Sequence, residues 1–323
     1  RESCLPKTAW PPRLDLTRAE WLEERRTGIG GSDAAAVLGL NPWRSPLAVY
    51  MDKTAGRGDV AEDDMPEALW WGTEQESLVA KRFSQLTGEK VINDQNMYRS
   101  AEYPWALANI DRRVVGKRVG LECKTTEVYN KTDFDDDEIP PTYYWQCQHY
   151  MAVLGWQSWY LAVKVGNGKA FHIFMISRDE AAIARLMAAE KELWRRIQAH
   201  EPPLPTGSEA DCELVRELTG TARAADDEPM DLRAMDDDLT MLAMLKRQSK
   251  DTDTKIKAIE QRVKLAMGDM PRAESTSYTI NYRNQEKSSL DSKRLLAEHP
   301  EMDAYKKTTS YRVLTIKENK KNG

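Results

Sequence analysis

The chain has 323 residues, 41% hydrophobic and 31% charged, with 52 acidic against 47 basic side chains and a net charge of -5. That much apolar material excludes collagen, a bare coiled coil and a wholly disordered chain, and the length suits one large domain or one domain with an appendage. No apolar run approaches the roughly 18 residues of a membrane span and no charged-then-apolar leader opens the sequence, so a soluble cytoplasmic protein is expected.

In chain order, Gly28-Ile29-Gly30-Gly31-Ser32-Asp33 precedes the apolar run 34–38. Ser32 or Asp33 is the expected N-cap of a short helix that Gly39 ends. Ser45-Pro46 opens a second helix to about Lys53, and Met65 to Thr87 forms a third, stopped by Gly88. The period then changes. Strands are predicted over 91–92, 105–110, 119–126, 159–164 and 170–176, with a helix over 141–154 and a long one over 179–200. A mixed α/β arrangement follows, a sheet flanked by helices.

Pro202-Pro203-Leu204-Pro205 marks the expected boundary between a domain over 1–205 and a C-terminal accessory region over 206–323. There a helix or helical hairpin is predicted over 236–267, and 278–283 and 311–316 alternate as strands that could pair around a small helix over 292–299. Residues 206–269 hold 10 basic and 15 acidic side chains, whereas 270–323 hold 11 and 7, so the tail is basic. An acidic total therefore says nothing against local contact with nucleic acid. Cys4, Cys123, Cys147 and Cys212 lie far apart, without a CxxC pair or a His at zinc-finger spacing, which argues against disulfides or structural zinc.

The residues that point to chemistry are Asp111, Glu122 and Lys124. Glu122 and Lys124, two apart on a strand, share one face, with Leu121 and Cys123 on the other. A hairpin around 114–119 would bring Asp111 beside Glu122. Two carboxylates in one small volume repel, and a proton or a divalent cation between them relieves the repulsion. Oxygen donors suit Mg²⁺, Mn²⁺ or Ca²⁺, and the Cys123 carbonyl could add a further ligand. A lysine there could orient or deprotonate water, or stabilise phosphate charge; metal-assisted phosphodiester hydrolysis is the matching reaction. A bare Glu-x-Lys is more often a surface ion pair, but Gly120-Leu121-Glu122-Cys123-Lys124 sets these charges in an otherwise apolar strand, where an unpaired charge is costly.

The order Trp21, Arg25-Arg26, Gly28 to Asp33, Trp71-Gly72-Thr73-Glu74-Gln75-Glu76, Ile110-Asp111, Leu121 to Thr125 and Gln146-Cys147-Gln148-His149-Tyr150-Met151 resembles the YqaJ-type phage recombination exonucleases, relatives of lambda exonuclease. The likeness spans roughly residues 15–200. It implies a restriction-endonuclease-like mixed central sheet flanked by helices. It also implies a Mg²⁺-dependent 5′-to-3′ exonuclease on duplex DNA ends, with Mn²⁺ as the substitute ion, that leaves 3′ single-stranded tails. By the same resemblance Glu76, Asp111, Glu122 and the Cys123 carbonyl match metal ligands, Lys124 the lysine near the attacking water, and Gln146 or Gln148 the bordering glutamine. Arg25 or Arg26, with Ser32, matches the pocket for the 5′-terminal phosphate, where an Arg fork suits phosphate geometry.

A homotrimer around DNA, pairing with a single-strand annealing protein and a phage or prophage origin in a bacterial host are implied by analogy alone. The rivals are another nuclease of the same superfamily, acting on single strands or internally, and a non-catalytic DNA-binding protein on the same fold. The aromatic cluster Tyr143, Tyr144, Trp145, Trp156, Trp159 and Tyr160 is expected to be mostly core, His149 to pack, and the acidic run 133–138 and Lys317 to Lys321 to be solvated.

Overall fold

In a computed structural model of the chain, residues 9–12, 17–54, 67–94, 96–127, 138–220, 230–307 and 311–317 are described. The chain divides into two compact units, Arg1–Leu218 and Thr219–Gly323. The first begins with β1 (Ala9–Pro12), α1 (Arg18–Arg26), β2 (Ile29–Gly30), a 3-10 turn (Gly31–Asp33), α2 (Ala34–Val37), α3 (Pro46–Thr54) and α4 (Glu67–Thr87). It continues with β3 (Val91–Asn93), β4 (Asn96–Arg99), β5 (Ala106–Asn109), β6 (Arg112–Val114), β7 (Val119–Thr126), α5 (Pro141–Leu154), β8 (Ser158–Val165), β9 (Ala170–Ser177), α6 (Glu180–Ala199) and α7 (Glu209–Thr219).

Local chemistry sets the helix ends. Thr17 and Glu20 form a reciprocal capping box at α1. Pro141 opens α5 and Gly155 closes it at φ 68. The Asp179 carboxylate accepts from the Ala181 and Ala182 N–H groups to start α6.

The main sheet has the order β3-β6-β7-β8-β9. β7 and β8 run parallel while the other neighbours are antiparallel, so the sheet is mixed. Parallel neighbours need a crossover, and α5 supplies it. Alternation along the strands sorts side chains into two layers. Leu121, Cys123 and Ala162 pack beneath α4 with Val79, Ala80 and Phe83. Trp159, Leu161 and Val163 point the other way, into the core that α5 closes with Trp145, Tyr150 and Met151. Gly120 is required at this crossing, because a Cβ there would lie 2.1 Å from the Trp159 ring. A smaller sheet, β1-β4-β5-β2, holds β2 parallel to β5.

The predicted helices over 46–53, 65–87, 141–154 and 179–200 and the five predicted strands are present, except that Met65 lies outside the described residues. β1, β2, β4, β6, α1 and α7 are additional. They are short or carry many charges, and neighbours rather than period hold them: β4, for instance, pairs with β5 through Tyr98 and Ala108. β6 rather than the predicted strand over 105–110 is the hairpin partner of β7, since β5 pairs in the smaller sheet. Asp33 occupies the N-cap position of α2, as expected, but its side chain makes no cap hydrogen bond; its carboxylate turns back to accept from the Gly30 N–H at 3.1 Å. The Pro cluster at 202–205 lies inside the first unit. Beyond it, buried Asp211 of α7 accepts from the Ser45 hydroxyl and from Thr206.

The second unit contains a 3-10 turn (Arg233–Met235), α8 (Asp236–Met267), β10 (Arg272–Glu274), β11 (Thr279–Asn281), α9 (Ser292–Glu298) and a 3-10 segment (Pro300–Tyr305). The expected pairing of 278–283 with 311–316 is not formed. β11 pairs with β10 instead, because a short turn closes that hairpin at far lower loop cost, and 311–317 carries no strand. Residues 133–137 and 318–321 of the two charged runs lie outside the described residues. Cys123, Cys147 and Cys212 are free thiols. Among the described residues no helix is long and apolar enough to cross a membrane.

Candidate active site

β6 and β7 form the hairpin in which Arg112 faces Leu121 and Arg113 faces Gly120. Carried one step further, that register sets Asp111 opposite Glu122. β6 has stopped there, so the β7 edge beyond Leu121 is open. Asp111 fills it: its Oδ2 accepts from the Cys123 N–H at 2.8 Å. An extended residue directs its N–H and C=O to the same edge, so the Cys123 carbonyl lies on the Asp111 side.

Glu122 is 1% exposed, on the α5 face of the sheet. Its Oε1 receives Lys124 Nζ at 2.7 Å and Gln146 Nε2 at 2.6 Å. Its Oε2 is buried without a hydrogen-bond partner. Burial, then the Asp111 charge, push the Glu122 carboxyl up to about 8, against the pull of Lys124. Burial would lower Lys124, but Glu122 and Asp111 outweigh it and hold the ammonium above its usual value. The Lys124 ammonium donates to Glu122 Oε1.

Gln146 also lies 2.9 Å from the Tyr150 hydroxyl, one turn further along α5. Tyr150 packs against Gly31, where a Cβ would stand 2.5 Å from the ring. Gln148 lies elsewhere: it donates to the Ser177 carbonyl at 2.9 Å and accepts from the Asp179 N–H at 3.0 Å, tying α5 to the start of α6. Two residues along a helix turn through about 200°, so only one of the glutamines can face the sheet. His149 packs as expected, its ring nitrogens 2.8 Å from Glu190 and from the Leu107 carbonyl.

Glu76 lies near enough to the pair for its charge to help raise the Glu122 carboxyl. Among the described residues no three His, Cys, Asp or Glu side chains gather closely enough to hold a metal ion. Glu76 comes from α4 and stands 3.9 Å from Arg112 Nη1. Arg112 in turn donates to the Asp111 carbonyl at 2.7 Å and to Asn93 at 3.1 Å. The hard oxygen donors on neighbouring positions are those of Asp111, Glu122 and the Cys123 carbonyl, with Asp111 tied to the Cys123 N–H and its charge acting on Glu122. A buried carboxylate oxygen left unpartnered beside a second carboxylate fits a hard divalent cation.

A second polar group gathers where α1 meets the 3-10 turn. Arg25 Nη2 donates to the Ser32 hydroxyl at 2.8 Å, and its guanidinium lies 4.7 Å over the Trp21 ring. Arg26 turns away, to Glu23 at 2.8 Å. α2 is only four residues long and offers little helix dipole, so the positive charge here comes from Arg25. Ser32 is exposed and Arg25 half-buried. The sequence reading assigned no role to Tyr150, Arg112, Arg44 or Lys53. Tyr150 was within reach of it, four residues from Gln146 on one helix face.

The Bacillus subtilis (strain 168) protein YqaJ is 35% identical over 309 residues, covering 94% of this chain and 95% of its own length. The sequence model of the YqaJ-like viral recombinase domain matches residues 20–157. The chain belongs to the YqaJ-like viral recombinase family. Asp111, Glu122, Lys124, Gln146, Arg25 and Ser32 all lie within the matched span. Among solved structures, an alkaline exonuclease (LHK-Exo) from Laribacter hongkongensis is similar at 19% identity and TM-score 0.48, over 62% of this chain and 97% of that one. A phage-related exonuclease from Haemophilus somnus 129PT is similar at 11% identity and TM-score 0.42, over 54% and 96%.

Proposed function

We propose that this YqaJ-family chain is a metal-dependent exonuclease that digests one strand of duplex DNA from its 5′ end and leaves a 3′ single-stranded tail. The observation that carries the reading is the buried Glu122 carboxylate, with one oxygen unpartnered, Asp111 beside it and Lys124 and Gln146 on its other oxygen. Asp111, Glu122 and the Cys123 carbonyl would hold the ion, Mg²⁺ or Mn²⁺. Bound there, it would supply Lewis-acid polarisation of the scissile phosphate. Lys124, kept as an ammonium, stabilises the charge that develops on phosphate oxygens. Gln146 keeps the Glu122 carboxylate aimed. Arg25 and Ser32 grip the 5′-terminal phosphate and fix where the next bond lies.

The test is digestion of end-labelled linear duplexes with Mg²⁺, with and without 5′ phosphate. The expected result is faster loss of the phosphorylated strand from its 5′ end, abolished by Glu122→Ala or Lys124→Ala while binding to DNA ends persists. Nicking of closed circular DNA would favour an endonuclease instead, and unchanged behaviour of both variants would leave only a binding protein. A homo-oligomer and a single-strand annealing partner belong to the same proposal, and size-exclusion chromatography with light scattering reads the first directly.

A further inference from the structure

Behind the exposed Arg25–Ser32 contact sits a buried ion pair that the proposed chemistry does not use. The Lys53 side chain is 1% exposed and that of Asp33 0%, with Lys53 Nζ 3.1 Å from Asp33 Oδ2. The same ammonium donates to the Arg25 backbone carbonyl at 2.8 Å. Asp33 Oδ2 also accepts from the Gly30 N–H at 3.1 Å, and Oδ1 from Arg44 at 2.6 Å. Arg44 continues to Asp52 at 2.9 Å. One carboxylate and one ammonium therefore tie together the last turn of α1, the end of β2, the loop before α3 and α3 itself.

Such a pair is a poor way to gain stability, since well-packed apolar residues of similar size often hold the same space at no loss. What charges provide and methyl groups do not is direction. Lys53 sets the height of the Arg25 backbone, and Asp33 sets the turn that presents its own neighbour, Ser32. Trp21 and Ser32 hold the other end of Arg25, at the guanidinium. Both partners of the phosphate grip are thus positioned from one buried point.

The geometry points to Asp33 and Lys53 as positioning residues for the 5′-phosphate pocket, acting through Arg25 and Ser32 without touching DNA; this rests on the end-phosphate reading above. The test compares KM and kcat on duplexes bearing 5′-phosphate or 5′-hydroxyl ends, with Mg²⁺, for the wild type, Arg25→Ala, Lys53→Met and the double variant Asp33→Asn/Lys53→Met. Lys53→Met is expected to raise KM for phosphorylated ends about tenfold, the loss of roughly one charge-assisted hydrogen bond, with the change in KM rather than kcat and little effect on hydroxyl ends. The double variant removes both charges from the interior and keeps the packing. It is expected to melt close to the wild type and still lack the phosphate preference, so it decides the matter if Lys53→Met folds poorly. Equal slowing on both kinds of end, in step with a lowered melting temperature, would overturn the proposal, as would a retained phosphate preference in the double variant. If Arg25→Ala itself keeps that preference, the pocket reading fails and the proposal with it. If Arg25→Ala loses the preference and the double variant does not, the positioning role alone fails.

Discussion

Gln146 on α5 reaches Glu122 on β7 with its amide nitrogen 2.6 Å from Oε1, so a helix in one layer aims a carboxylate in the sheet beneath it. The Tyr150 hydroxyl holds the same amide at 2.9 Å, and Gly31 seats the Tyr150 ring. Tyr150 therefore links the Glu122 group to the turn at Gly31 that precedes Ser32.

Glu122 is expected to trade stability for chemistry. Its ionised form is opposed by burial and by Asp111. Glu122→Gln keeps the shape and removes the charge. It should melt at or above the wild-type temperature while digesting DNA at least about a hundredfold more slowly. Calorimetry and a labelled-duplex assay read the two together, and a variant that both melts early and stays active contradicts the assignment.

The two glutamines of α5 should separate cleanly. Gln146→Leu frees the Glu122 carboxylate to swing and should lower the rate with little loss of fold. Gln148→Leu leaves the Ser177 carbonyl and the Asp179 N–H without their partner. It should cost about 1–3 kcal/mol of stability and leave the rate per folded molecule intact. Urea titration alongside single-turnover rates distinguishes them.

Gly31→Ala presses a methyl group into the Tyr150 ring from 2.5 Å. Backbone and ring must both shift, and overpacking of this kind costs about 1–3 kcal/mol. A melting temperature equal to the wild type would show that the contact between Gly31 and the Tyr150 ring is loose.

Asp33 should shape the acid limb of stability. Burial alone would raise its pKa, but Lys53, Arg44 and Arg25 outweigh burial and hold the carboxyl well below the usual 3.8. Below that value the unfolded chain takes up a proton that the folded chain refuses, so the contribution is complete above it and is lost as pH falls. Asp33→Asn should unfold with a shallower dependence on pH below about 4. Circular dichroism across an acid series measures the slope, and an unchanged slope would mean that Asp33 is not held ionised.

Period and spacing alone carried the helices at 46–53, 141–154 and 179–200 and the strands β3, β7, β8 and β9 of the main sheet; the expected hairpin at Asp111 and Glu122 forms through β6 at 112–114, which no pattern marked, because the predicted strand over 105–110 lies in the smaller sheet. The segments so read are long or strongly patterned, and a two-residue interval on a strand leaves no choice of face for Glu122 and Lys124. The choices left open were those between neighbours: Arg25 or Arg26, and Gln146 or Gln148. Adjacent residues have the same composition and almost the same place in the sequence, yet they face different layers once helices pack. Only the docking of α5 on one face of β7 and α4 on the other turned Gln146 toward Glu122, left Glu76 beside Arg112, and buried Asp33 against Lys53 from 20 residues away. Sequence period reports which way a side chain leaves its own element; which partner it meets depends on packing between elements, and no local pattern encodes that.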